Sequence, residues 1–258
     1  MNKKLTASAL TLAAAGTLFA GQSALAAPAL NTGVAPGGNF NLSVWSLQEP
    51  VGSAGSPRTI SPSQLKGASG YQDAYFYTDK SDGSMTFWDP ENGVHTPNSN
   101  FSRSELREMN SSGSAASWGL PGTHKLSATV KVTKVPSSVC VGQIHASEGS
   151  GTTKPLVELY YHSNGDIIAG IENGPGGGQT AHSVGHVSLN TQWSYVISVT
   201  GGNTINIAIN GANHSFAIPS GWKGYPQYFK AGDYNQSASS SSTNGATVHF
   251  YALTVSHS

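Results

Sequence analysis

In several stretches of this chain apolar side chains recur at every second residue, and that period constrains the fold more than any other feature. In "TINIAIN" (Thr204 to Asn210), Ile205, Ile207 and Ile209 fall on one face of an extended backbone, with polar or small residues between them. "ATVKVTKV" (Ala128 to Val135), "WSYVISVT" (Trp193 to Thr200) and "ATVHFYALTVS" (Ala246 to Ser256) are rich in the β-branched and aromatic residues that suit a pleated surface. Asn164-Gly165 separates "LVELYYHS" from "DIIAGIE", and Asn210-Gly211 separates two further strands; both dipeptides favour tight hairpins. Helix signals are nearly absent. Short strands at this spacing predict an all-β sandwich or barrel.

The N-terminus follows other rules. Lys3 and Lys4 precede an Ala/Leu-rich apolar run to about Ala20, and Ala24-Leu25-Ala26 is a small-x-small cleavage site. That pattern predicts a secretory signal peptide over residues 1–26, cleaved near Ala26 to give a secreted (extracellular or periplasmic) protein. The run is short and broken by Thr and Gly, which disfavours a membrane anchor. Residues 27–38 read as a loose leader and residues 39–258 as one domain, with no composition shift or internal repeat. Past residue 26 the chain carries 11 basic and 13 acidic residues, so there is no global basic field for nucleic acid. Cys140 is the only cysteine, which rules out an internal disulfide and leaves stability to an apolar core. Between Val139 and Val141 it reads as a small buried hydrophobe.

Charge is scarce, at 10% of residues, yet "RSELREM" (Arg103 to Met109) concentrates it. Arg103, Glu105 and Arg107 share one strand face, and Leu106 points the other way. In "VGQIHAS" Gln143 and His145 share a face opposite Ile144. In "QYFKAGDYNQ" Lys230, Gly232 and Tyr234 share a face opposite Phe229 and Ala231, and Gly232 would let a ligand approach the backbone. Each segment alone has a plainer reading: a solvated strand face with ion pairs, a satisfied core histidine, a packing tyrosine. Three such strands together argue for one polar sheet face that does chemistry. His182 and His186 are four apart but follow a glycine-rich loop in no helical pattern, which argues against a metal site there. "GPGGGQ" (Gly174 to Gln179) and "SASSSSTNG" (Ser237 to Gly245) read as loops, either mobile lids or plain connections.

"RSELRE", "QIH" and "YFKAGDYNQ" resemble, in order, the three signature segments of the family 7 polysaccharide lyases, the alginate lyases. "FNLSVWSLQEPVG" and "DGSMTFWDPENGVHTPNSNFSRSELREM" are similar to that family too, and the resemblance spans Phe40 to Ser258. It implies a β-jelly roll sandwich of two antiparallel sheets, concanavalin-like, with the cleft on the concave sheet face. It also implies cleavage of a 1,4-linked polyuronate by β-elimination. Arg103 and Gln143 match the family's carboxylate neutralisers, His145 and Tyr234 its base and acid. Glu105 is then an orienting partner between Arg103 and Arg107, while Arg107, Lys230 and Gln236 are substrate-binding residues. Lys230 or Arg107 would lower the Tyr234 pKa. Ile144 in the second motif is associated with guluronate-containing stretches.

The expected partner is therefore alginate, polymannuronate or polyguluronate, with endolytic attack by a monomer. Nucleic acid and membrane are not expected, and the mechanism requires no metal or organic cofactor. Two rivals remain. A jelly-roll glycoside hydrolase would need two carboxylates flanking the bond, and the proposed face offers one, Glu105. A non-catalytic polyuronate-binding module would need the basic face but not His145 and Tyr234.

Overall fold

The computed structural model describes residues 29–258; the segment read as a signal peptide lies outside them. The strands are β1 (Trp45–Ser53), β2 (Ser56–Ile60), β3 (Phe76–Thr78), β4 (Met85–Pro90), β5 (Ser104–Glu108), β6 (Thr123–Lys134), β7 (Ser138–Ala146), β8 (Pro155–His162), β9 (Asp166–Glu172), β10 (Gln179–His186), β11 (Gln192–Thr200), β12 (Thr204–Ile209), β13 (Ala212–Ala217), β14 (Gln227–Asn235) and β15 (Gly245–His257). Eight form an antiparallel sheet in the order β10-β9-β8-β7-β14-β5-β1-β2. Seven form a second, in the order β13-β12-β11-β6-β15-β4-β3. This is the jelly-roll sandwich expected above. Its decisive feature is β14 lying between β7 and β5, because that places the three motif strands side by side.

The period-two pattern accounts for the core. Ile205, Ile207 and Ile209 are buried while Thr204, Asn206 and Ala208 are half-exposed. From the other sheet Leu106, Ile144, Phe229 and Ala231 turn inward, each fully buried, and each is worth about 1.5–3 kcal/mol if large and apolar. Tyr195 Oη donates to Val141 O at 2.8 Å and so ties β11 to β7 across the sandwich. Gly142 makes that bond possible, since a Cβ there would lie 2.8 Å from the Tyr195 oxygen. Asn210 (φ 49°) and Gly211 (φ 85°) both adopt the left-handed conformation that a two-residue type I′ hairpin needs.

One expectation about an irregular segment needs correction, and for another the structure favours one of the two alternatives left open. The leader is not loose over its described part. Ala35 is buried and its N–H donates to Ala68 O at 2.9 Å, Gly37 bridges to Lys66, and Leu30 packs on the core. Its Gly, Pro and Ala content suits a docked turn as well as a linker, so composition did not decide. The Ser237–Gly245 loop is a brace rather than a lid. Ser239 Oγ donates to Glu91 at 2.6 Å, and Asn92 N–H donates to Ser241 O at 3.2 Å, which ties the loop to the segment that follows β4.

Behind the motif strands, β4 and β14 place Asp89 and Asp233 in the interior, both fully buried. Ser102 Oγ and the Asn235 N–H donate to Asp89 at 2.6 and 3.1 Å, whereas neither Asp233 oxygen has a partner among the described residues. Burial pushes Asp89 up to about 8 and Asp233 well above the usual carboxylate range; Asp89 adds to the shift of Asp233, and Glu105 adds to both. With folded-state values raised, the contribution to stability is complete below the unfolded carboxylate pKa. It is lost as pH rises through about 8. Asp233→Asn should therefore raise Tm by about 2–4 °C at pH 8, roughly what 1 kcal/mol is worth in a chain of this size. The gain should shrink toward pH 5. Thermal melts at the two pH values check this, and a gain independent of pH would exclude it.

Candidate active site

The outer face of the eight-stranded sheet carries a cleft of about 770 Å³. Its floor crosses six neighbouring strands, from Ser46 and Gln48 on β1, through Arg107 on β5, Lys230 on β14 and Gln143 on β7, to Glu158 on β8 and Glu172 on β9. At ordinary strand spacing that is roughly 24 Å. Loops border it, among them Thr96–Ser99 and Glu148–Lys154.

At its centre lies Glu105, fully buried. One carboxylate oxygen accepts Gln143 Nε2 at 2.5 Å; the other meets Lys230 Nζ at 2.5 Å and Arg103 Nη1 at 3.4 Å. The register explains the convergence. Glu105 is opposite Gly232, and Lys230 is opposite both Arg107 and Gln143, so with no side chain at Gly232 the neighbouring long side chains reach the carboxylate. Gly232 does not bring a ligand to the backbone, as the sequence suggested. At φ 152° it brings β14 against β5, where a Cβ would lie 2.7 Å from Glu105 Cα and Ser104 O.

Glu105 orients Arg103, Lys230 and Gln143, but not Arg107. Arg107 pairs with Glu148 at 3.3 Å and stacks 4.2 Å over the Tyr228 ring. Arg103 lies 3.8 Å over the Tyr234 ring. Arg103 Nε and Arg107 Nε are buried and find no acceptor among the described residues. Burial and the neighbouring Arg103 lower Lys230 to about 8 despite Glu105.

His145 Nδ1 lies 2.9 Å from Ala146 O and donates to it, which leaves Nε2 as the lone-pair nitrogen. Burial first, then Lys230 and Arg103, lower this imidazole to about 4. Tyr234 Oη lies 2.9 Å from Ser99 Oγ. Its pKa is raised, because burial outweighs the opposing effects of Arg103 and Ser99. The expected lowering by Lys230 or Arg107 therefore does not occur; the cation at the phenol is Arg103.

Seven of the eight residues singled out in the sequence meet in this one region: Arg103, Arg107, Gln143, His145, Lys230 and Tyr234 line the cleft, and Glu105 lies beneath them. Gln236 does not line it. Its side chain folds back to donate to Tyr234 O at 3.0 Å. The expectation of a single carboxylate on this face also fails, since Glu148, Glu158 and Glu172 line the cleft too. Sequence reasoning passed over Tyr228, Glu158 and Ser99. Tyr228 is two residues before Lys230 and shares its face, and Glu158 is the one charged residue in "LVELYYHS"; the same alternation would have found both. Ser99 lies in a loop and gave no periodic signal.

The chain matches the alginate lyase family over residues 40–257. An alginate lyase from Klebsiella pneumoniae is 28% identical over 282 residues, 86% of this chain and 91% of that protein. The crystal structure of family 7 alginate lyase A1-II′ in complex with product (GGG) superposes with a TM-score of 0.78 at 36% identity, covering 87% of this chain and 100% of that one. An alginate lyase from Pseudomonas aeruginosa superposes at 0.76 with 35% identity, over 84% of this chain and 99% of that one.

Two measurements test the electrostatics of the site. His145 should stay neutral down to about pH 4 when its ring is followed by NMR. Because this folded-state pKa is depressed, its stabilising contribution is complete above the unfolded value of ~6.5. It is lost as pH falls through about 4. Glu105→Gln should cost about 3–5 kcal/mol in denaturant unfolding, since it strips the counter-charge from buried Arg103 and Lys230.

Proposed function

Because the chain belongs to the alginate lyase family and is a polysaccharide lyase, we propose that it depolymerises alginate by β-elimination. The C5 proton of a 1,4-linked uronate is removed and the C4 oxygen expelled. One observation carries this reading: a neutral imidazole with its Nε2 lone pair and a protonated phenol line the same cleft, beside Arg103 and Gln143. C5 is α to a carboxylate, so proton loss generates a dianionic enolate unless that charge is met. Arg103 supplies a guanidinium that lines the cleft, and Gln143 supplies amide N–H, both held by Glu105. His145 takes the C5 proton, the electrons form the C4–C5 double bond, and Tyr234 gives its proton to the departing O4.

The same electrostatics support a preference for guluronate-containing blocks. In guluronate, C5–H and O4 lie on opposite faces of the sugar, which suits two separate groups. In mannuronate they lie on one face, and Tyr234 would have to act as both base and acid. A phenol whose pKa is raised by burial is poorly suited to the first role. That one relative of this chain, alginate lyase A1-II′, was solved with GGG and with GGMG supports the same reading. A cleft floor spanning six strands accommodates several sugars and supports endolytic attack. The N-terminal Lys3-Lys4, apolar run and Ala24-Leu25-Ala26 support secretion.

Tyr234→Phe and His145→Ala should remain folded and lose about 10²–10⁴ in turnover on polyguluronate. Progress is followed by the ultraviolet absorbance of the conjugated C4–C5 double bond, on separated polyguluronate and polymannuronate. New reducing ends without that absorbance would overturn elimination, and wild-type turnover in either variant would overturn the assignment of base and acid.

A further inference from the structure

Ser99 is in the loop before β5 and faces four polar partners at once. Its Oγ lies 2.9 Å from Tyr234 Oη, 3.1 Å from Arg103 Nη2, 3.2 Å from the Phe101 N–H and 2.8 Å from Phe101 O. A serine hydroxyl has one proton and two lone pairs. Arg103 Nη2 and the Phe101 N–H can only donate, so together they fill both lone pairs. The proton then goes either to Phe101 O or to Tyr234 Oη. In neither state is a lone pair left to receive the Tyr234 proton.

We infer that Ser99 is a positioning residue for Tyr234: it donates to the phenol oxygen when charge develops there and turns the phenol's own proton toward the cleft. The inference rests on the elimination reading above for its catalytic consequence. When Tyr234 transfers its proton to the leaving O4, the phenol oxygen becomes a phenolate. The Ser99 proton turns from Phe101 O to that oxygen, and no further proton is needed. Arg103, stacked 3.8 Å over the same ring and bonded to the same hydroxyl, adds its charge. Ser99 thereby links the group that neutralises the substrate carboxylate to the group that protonates the leaving oxygen. Phe101 packs edge-on to the Tyr234 ring at 6.4 Å.

The test compares Ser99→Ala with Ser99→Thr, which keeps the hydroxyl. Ser99→Ala should lower kcat about tenfold, as expected for one lost hydrogen bond to a charged group, with KM nearly unchanged, and Ser99→Thr should restore most of it. In parallel, the phenol is titrated by ¹³C NMR of labelled tyrosine, with Tyr234→Phe identifying the resonance. The Tyr234 pKa should rise in Ser99→Ala and return in Ser99→Thr. An unshifted titration in Ser99→Ala, or a threonine variant no better than alanine, would overturn the inference. The titration reads the Ser99–Tyr234 bond in the free protein, so it decides the matter even if wild-type enzyme fails to form unsaturated products. That failure would fall on the elimination reading alone.

Discussion

A single buried carboxylate organises this cleft. Glu105 is inaccessible to solvent and joins β5 to β14 through Lys230 and to β7 through Gln143, while also holding Arg103 just before β5. An ion buried to this degree is tolerable only when its lone pairs are filled and its charge is matched. The cationic residues satisfy the carboxylate, and the carboxylate in turn fixes their side chains. The result is a set of donors held in place before a substrate arrives, which is what stabilisation of developing negative charge requires.

The same burial explains the protonation states around it. Removing solvent disfavours every charged form, so His145 is pushed down, Tyr234 is pushed up and Lys230 is lowered even beside Glu105. An imidazole that is free to accept and a phenol that is free to donate follow from one physical cause. Arg103 resists it, because a guanidinium keeps its proton at any accessible pH and Glu105 favours the charged form. Arg103 therefore remains charged beside the two groups proposed as base and acid, which stay neutral.

Much of this was legible in the chain itself. The faces of β5, β7 and β14 follow from period two. Leu106, Ile144, Phe229 and Ala231 are buried on the opposite side, as the alternation required. Asp233 turns inward for the same reason. What was misread involved partners rather than faces. Arg107 shares a face with Glu105 but is held by Glu148 and Tyr228. Gly232 reads as a place for a ligand, yet it accommodates the adjacent strand. Gln236 belongs to a motif by sequence but bonds the backbone carbonyl of Tyr234.

The amino-acid sequence by itself determined the all-β class, the side to which each motif residue points and, through three ordered motifs, membership of a lyase family. These are local properties, set by the two-residue repeat of an extended backbone and the turn chemistry between strands. Only the tertiary structure decided which strands adjoin, that Ser99 reaches Tyr234 across 135 positions, and which of the polar groups would keep their protons. Those depend on distances between residues far apart in the chain and on how completely water is excluded, quantities that exist only once the two sheets have closed on their core.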